Sequence, residues 1–305
     1  MIAVVIPSYK VRKHLANVVK DIPGFIDYII VVDDCCPEKS YQEVSNTPKV
    51  CTVLNSINKG VGGAVLEGYK KALELNADVI IKIDGDGQMD PTQIERLITP
   101  LINNVADYTK ANRFRDFRAL KNMPKVRLFG NSFLSFVVKF CSGYWHVMDP
   151  TNGFTAIKKE ALEGLKLSEI AQRYFFEIDM LINLNIENRK VVDIPMPAKY
   201  GDETSSLSIL KVLFSFPGKI LKGFIKRIFY KYYIYDFNMA SIYILIGIPL
   251  LFFGLAYGSY HWIQSFYHSI LTPPGTIMLS AVSILLGVQF LLQAIGIDID
   301  NNSRR

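Results

Sequence analysis

Two stretches near the carboxyl end of this chain, Phe237–Tyr260 and Gly275–Ile297, contain no charged side chain. A helix needs roughly 20 apolar residues to cross the hydrocarbon core of a bilayer, and each stretch supplies them. A chain with two such stretches must bury both, in protein or in lipid. Their length and lack of charge favour lipid. The link between them, Gln264–Pro274, is short and has Trp262, Tyr267 and two prolines close by, like a turn at a membrane interface. The pair therefore reads as a transmembrane hairpin.

Charge points the same way. The formal net charge is +6, and Lys211, Lys219, Lys222, Lys226, Arg227 and Lys231 lie in residues 207–235 with no acidic residue among them. The other 28 basic residues match the 28 acidic ones, so this segment carries the whole excess. A nucleic-acid binder more often spreads its charge over a folded face, and nucleic acid is not an expected partner. Lys219, Lys222 and Lys226 recur at helical spacing, with Ile220, Leu221, Phe224, Ile225 and Ile228 on other faces. That pattern predicts an interfacial helix on anionic lipid. Arg304 and Arg305 follow the hairpin and the link has no basic residue, so the positive-inside rule places both termini in the cytoplasm. No signal peptide is expected, because Met1 leads straight into Ala3-Val4-Val5-Ile6. Cys35, Cys36, Cys51 and Cys141 show neither metal spacing nor a disulfide framework, which fits a reducing setting.

The first two thirds of the chain alternate. Ile2–Ile6, Tyr28–Val32, Lys49–Leu54, Ala77–Ile83 and Asp107–Ala111 read as apolar strands. Val11–Lys20 and Ala64–Leu75 have helical spacing, and Asn55–Gly63 is a polar, Gly-rich connection. Such alternation predicts a mostly parallel sheet with helices on both faces. The second strand ends in Asp33-Asp34. The fourth stops at Asp84-Gly85-Asp86-Gly87-Gln88-Met89-Asp90-Pro91. Asp and Gly also make ordinary turns. Two acidic strand ends in one series point instead to a site, since ligands of open α/β sheets bind at the carboxyl ends of strands. Asp84 and Asp86 suit Mg2+ or Mn2+ carrying a diphosphate. Glu95 falls where a calcium loop has its last ligand. Met89 then stands where Gly is needed, and a strand precedes the loop.

Taken together, Val5-Ile6-Pro7-Ser8-Tyr9, Val31-Val32-Asp33-Asp34, Asn58-Lys59-Gly60 and Asp84–Pro91 resemble family 2 glycosyltransferases of the GT-A fold. They are most similar to the polyprenyl-phosphate group, the dolichol-phosphate mannose synthases. The resemblance covers about residues 2–206. It implies that Pro7, Tyr9, Asp33 and Lys59 line the nucleotide-sugar pocket with Asp84. It also implies that Asp84, Asp86 and Gln88 hold the metal and the donor diphosphate. An arginine pair spaced like Arg113 and Arg127 faces the acceptor phosphate in that family, and arginine forks suit phosphate. Met148-Asp149-Pro150-Thr151-Asn152-Gly153-Phe154 resembles the acceptor-side loop, although Thr155 stands where an Arg often follows. Asp149 is either a catalytic base or an orienting residue. Lys199, in a loop after the expected edge strand Lys190–Ile194, is a third phosphate candidate. Glu177 and Asp179, on an expected helix Tyr174–Leu184, read as solvent-facing acids.

The expectation is thus an α/β GT-A domain (1–206), basic interfacial helices (207–236) and a transmembrane hairpin (237–305). The resemblance implies metal-dependent, inverting transfer of one sugar from a UDP- or GDP-sugar to undecaprenyl or dolichyl phosphate at the cell membrane. A homo-oligomer is left open. One rival is transfer to another lipid or glycan, as in processive synthases, but their QxxRW motif is absent here. The other is a non-catalytic, membrane-anchored nucleotide-sugar binding module.

Overall fold

A computed structural model describes residues 1–113, 125–196 and 209–303, with side chains given outside 125–129, 131, 209–215 and 302–303. Arg115, Arg118, Lys199, Arg304, Arg305 and the side chain of Arg127 lie outside the described residues. The chain divides into two compact units, Met1–Arg227 and Ile228–Arg305.

The first unit is built on seven strands: β1 (Ile2–Ser8), β2 (Tyr28–Asp33), β3 (Val50–Leu54), β4 (Val79–Lys82), β5 (Tyr108–Asn112), β6 (Thr155–Lys158) and β7 (Val191–Pro195). They form one sheet in the order β3-β2-β1-β4-β6-β5-β7. Pairing is parallel except where β6 runs antiparallel between β4 and β5. The helices are α1 (Arg12–Lys20), α2 (Gly60–Glu74), α3 (Ile94–Ile102), α4 (Lys125–Ser142), α5 (Lys159–Glu163), α6 (Phe176–Ile186) and α7 (Ile209–Phe229). Alternation along β1 sends Val4 and Ile6 to one face, where they pack with Leu15 and Val18 of α1 and Leu97 of α3. Val5 points to the other face, where α2 comes so near that a Cβ on Gly68 would overlap the Val5 side chain. Each such buried aliphatic contributes about 1.5–3 kcal/mol.

Pro7 is tolerated in a central strand for a specific reason. Odd residues of β1 bond towards β4, as Val5 O does with Ile83 N, and even ones towards β2, as Ser8 O does with Asp34 N. The last β1 residue paired with β4 is Val5, so the N–H that Pro7 lacks falls just past the end of that pairing.

Three expectations change. Strand β6 was not foreseen, because four residues after a turn-rich stretch give too short a pattern. The glycines Gly60–Gly63 are not a loop but the first turn of α2. Their orphan backbone donors explain this: Asp34 accepts from Lys59 N (2.8 Å) and Gly60 N (2.8 Å), a side-chain cap supplied by another loop. Nor are Glu177 and Asp179 solvent-facing. Glu177 is buried in an ion pair, and Asp179 accepts from Ala171 N at 2.8 Å, with burial pushing its carboxyl pKa up.

The second unit begins with a π-helical turn, Tyr230–Tyr235, followed by α8 (Met239–His268) and α9 (Pro274–Ser303). Both helices are long and apolar enough to cross a membrane. They outrun the charge-free stretches, so the link shortens to residues 269–273. Asn238 and Ser241 form a capping box at the start of α8. Gly247 and Gly287 let the two backbones approach, and Ser280 Oγ donates to Gly254 O at 2.8 Å.

The basic segment is also corrected. Arg227 is 1% exposed and donates to Cys141 O (2.7 Å) and Phe140 O (3.1 Å). It thus caps the carboxyl end of α4, where a cation complements the helix dipole. Lys226 pairs with Glu169 at 3.0 Å, and Lys231 is buried beside Asp298. Of the described basic residues of α7, Lys219 and Lys222 remain exposed, with Leu221, Ile225 and Phe229.

Candidate active site

Because β1, β2, β4, β5 and β7 run in parallel, their carboxyl ends share one edge of the sheet, and β6 begins there. At the ends of β1 and β2, Ser8 pairs with Asp33. Asp33 Oδ2 accepts from Cys36 N at 3.1 Å, whereas Asp33 Oδ1 and Ser8 Oγ are buried with no hydrogen-bond partner among the described residues. Burial raises the Asp33 pKa against that Cys36 bond, and the Asp34 charge adds to the rise. Buried acceptors without partners are uncommon in folded proteins. Here they suit an N–H or O–H from a ligand. Pro7 lies one register step behind and Tyr9 is exposed beside them. Lys59, expected in this pocket, instead spends its ammonium on Glu67 at 2.8 Å.

At the end of β4, Gly87 adopts φ +77°, a region that favours glycine, and Gln88 N turns back onto Asp86 Oδ1 at 3.0 Å. Lys82, 1% exposed, sits 2.8 Å from Asp84 Oδ1 and 3.1 Å from Glu177 Oε1 on α6. Burial works against its charge, but the two carboxylates outweigh it and the pKa rises. The chain closes on this pair from the other side. A Cβ on Gly153 would lie 2.1 Å from Lys82 Nζ and 2.7 Å from Asp84 Oδ2. Only glycine permits that approach, because any side chain there would push Lys82 or Asp84 aside. Among the described residues no group of three or more His, Cys, Asp or Glu could hold a metal by itself. Two carboxylates and the Gln88 amide nevertheless fit a hard cation that takes its other oxygens from phosphate and water.

At the end of β5, Arg113 meets Asp149 of the loop before β6. Nε lies 2.8 Å from Oδ2 and Nη2 3.2 Å from Oδ1, a bidentate fork, and Arg113 N and Asn152 Nδ2 also reach Oδ2. Asp149 is fully buried, while Arg113 is about two-fifths exposed. A small pocket beside the fork is lined by Gln88, Met89, Asp90, Gln93, Asn152 and Phe154, among others.

Beneath these groups the sheet carries a polar row. Lys82 is in register with Thr155, Thr155 with Lys110, and Lys110 with Asp193. Lys110 is fully buried and donates to Asn152 O. Desolvation takes its pKa down to about 8, although Glu177 and Asp149 oppose the fall. Burial pushes the Asp193 carboxyl up to about 6. Motif reading passed over Lys82, Lys110 and Asp193, and took Glu177 for a solvent-facing acid. For Lys82 and Asp193 a signal was present: a charge inside a strand that is otherwise apolar needs a buried partner.

The chain has recognisable relatives. The sequence model described as glycosyl transferase family 2 matches residues 3–165. A Methanococcus voltae protein named UDP-N-acetylglucosamine–dolichyl-phosphate N-acetylglucosaminyltransferase is 33% identical over 219 residues, covering 66% of this chain and 87% of that protein. The polyprenol monophosphomannose synthase of Mycolicibacterium smegmatis is 26% identical, over 63% of this chain and 75% of its own length. Among solved structures, glucosyl-3-phosphoglycerate synthase from Mycobacterium tuberculosis, in complex with Mn2+, UDP and glucosyl-3-phosphoglycerate, aligns with a TM-score of 0.55 at 18% identity. The alignment covers 74% of this chain and 79% of that one, and the likeness is one of fold, the GT-A fold.

Proposed function

The chain belongs to glycosyl transferase family 2, and on that premise we propose that it moves one sugar from a nucleotide-sugar to a polyprenyl phosphate. The observation that carries this reading is the meeting, on one sheet edge, of the Asp84–Asp86 strand end with the Arg113–Asp149 fork. The first is chemistry for a diphosphate and the second for a phosphate monoester. Of the two sequence relatives, one is by name a dolichyl-phosphate N-acetylglucosaminyltransferase and the other a polyprenol monophosphomannose synthase, and the first name makes a UDP-linked acetamido sugar the first donor to try.

In this reading Asp33 Oδ1 and Ser8 Oγ take donors of the nucleoside, and Pro7 and Tyr9 border it. Asp84, Asp86 and Gln88 would hold Mg2+ or Mn2+, which supplies charge neutralisation for the departing nucleoside diphosphate. Arg113 presents its exposed face to the acceptor phosphate, with Arg127 and Lys199 as further candidates. That phosphate is largely ionised at neutral pH, with a second pKa of about 6, so its attack needs little deprotonation. Asp149 already accepts four donors, so it orients Arg113 rather than taking a proton. Direct attack by the phosphate inverts the anomeric centre. The catalytic unit sits on the cytoplasmic side with both termini, anchored by α8 and α9, while Lys219 and Lys222 face anionic lipid.

The test uses the full-length protein in liposomes containing undecaprenyl or dolichyl phosphate, screened with UDP- and GDP-sugars and Mg2+ or Mn2+. A lipid-linked sugar carrying the donor's sugar is expected. Product formed equally well on the dephosphorylated polyprenol, or no lipid product with any donor, refutes the reading.

A further inference from the structure

The loop that carries Asp149 is held in an orderly way. Strand β7 is an edge strand, with one side unpaired by the sheet. Residues 144–148 lie along that side, and alternate residues make the contacts. Tyr144 Oη donates to Arg189 O at 2.6 Å, and His146 Nε2 contacts Val191 O at 2.9 Å. Met148 N donates to Asp193 Oδ2 at 3.3 Å. The acceptors, at residues 189, 191 and 193, follow the two-residue period of a strand edge, so the turn-containing segment is held along that edge. The last rung differs from the first two, because there a side-chain carboxylate accepts. The same Asp193 Oδ2 also accepts from Asn112 Nδ2.

The two donors on that one oxygen have telling neighbours. Asn112 immediately precedes Arg113, and Met148 immediately precedes Asp149. A single carboxylate thus ties down the residue before each member of the fork. Asp193 is 8% exposed and its Oδ1 has no hydrogen-bond partner among the described residues. Burying such a group opposes folding. An apolar residue would fill the position without that cost but would remove this shared tie to Asn112 Nδ2 and Met148 N.

We propose that Asp193 is a positioning residue for the acceptor grip, a buried clamp that sets the spacing of Arg113 and Asp149 through Asn112 and Met148. It touches no substrate. It fixes the direction of the Arg113 fork, and fork direction decides whether both of its N–H groups reach one phosphate. The inference rests on the reading of Arg113 as the acceptor-phosphate ligand.

The experiment measures binding of a short-chain prenyl monophosphate and, separately, of UDP and GDP to the full-length protein in detergent. The variants are Asp193→Leu, Asn112→Ala, Arg113→Ala and the double variant Asp193→Leu/Arg113→Ala. Loss of the clamp is expected to weaken prenyl phosphate binding about tenfold, since small misplacements of binding groups are costly. Nucleotide affinity should stay at the wild-type value. The double variant should bind no worse than Arg113→Ala alone, because a clamp that acts through Arg113 has nothing left to position. If Asp193→Leu does not unfold cooperatively, Asn112→Ala carries the same expectation with the carboxylate retained. Unchanged prenyl phosphate affinity overturns the proposal, as does a full additional loss on the Arg113→Ala background or a matching loss of nucleotide affinity. A wild-type protein that binds no prenyl phosphate brings down the functional reading itself. Wild-type-like variants bring down the clamp alone.

Discussion

Replacing Lys82 by Met should destabilise the catalytic unit far more than an ordinary surface change. The side chain is about the same length, so packing is largely kept and the loss is electrostatic. In the native site one ammonium faces two carboxylates, at 2.8 Å for Asp84 and 3.1 Å for Glu177. With an effective dielectric of about 20, each contact corresponds to a gross attraction of about 5–6 kcal/mol. Much of that is offset by the desolvation of Lys82, so the net worth of the cluster is small. Deleting only the cation exposes the imbalance, because two carboxylates are left facing one another in a poorly solvated place. Breaking a buried pair in this way costs about 3–5 kcal/mol. For a unit of this size that lowers the unfolding midpoint by roughly 6–20 °C. The assay is thermal unfolding of the full-length protein in detergent, followed by a signal from the first unit. The double variant Lys82→Met/Glu177→Gln removes one of the stranded charges and should recover most of the loss. A single variant within 1 °C of wild type, or a double variant no better than the single, would show that the cluster is not held by charge balance.

Asp86→Asn should abolish turnover, and EDTA should silence the wild-type enzyme, with activity restored by Mg2+ or Mn2+; both are read as lipid-linked product. The folded Asp193 carboxyl, at about 6 against 3.8, makes a penalty that is full above pH 6 and gone below pH 4, so its contribution favours the fold as pH falls through that window. The shift corresponds to about 3 kcal/mol, and Asp193→Asn should remove this limb from a plot of unfolding free energy against pH. Lys219→Gln with Lys222→Gln should leave the protein in the membrane and nucleotide binding intact while raising the apparent KM for the lipid acceptor, each charge near an anionic surface contributing about 1 kcal/mol. Arg227→Gln, by contrast, should act through stability, because it uncaps the carboxyl end of α4; unfolding midpoints of the two sets separate the cases.

The elements that announce themselves in one dimension were legible: all six strands of the parallel set, helices α1, α2 and α6, and the two apolar helices at the carboxyl end. The placement of Asp33, Asp84 and Asp86 on one edge of the sheet was legible because turns at the ends of apolar runs mark the carboxyl ends of its strands. What sequence pattern could not supply was pairing across the sheet. Thr155 belongs between Lys82 and Lys110 only because β6 inserts there, and no periodicity shows an antiparallel insertion four residues long. Similarly, Lys219, Lys222, Lys226 and Arg227 look alike as a string of cations. Burial separates them, since Arg227 points at the end of α4 and Lys226 at Glu169. Lys59 sits in a motif but is spent on Glu67, a neighbour two helical turns on that the motif does not include.

The reversed direction of β6 also bears on how proteins built like this one diversify. In the proposed reading, donor-side groups sit at the ends of parallel strands, where an inserted residue would disturb the register of the whole sheet. On the acceptor side Arg113 sits at such an end too, but Asp149 precedes a strand running the other way, and side chains between α4 and β6 can change without moving Lys82↔Thr155 out of step. On that reading selection has a stretch of chain in which it can exchange one acceptor for another while the nucleotide half is inherited unchanged. A lineage that accumulates substitutions faster at residues 143–153 than at residues 84–91 would carry the trace of that freedom.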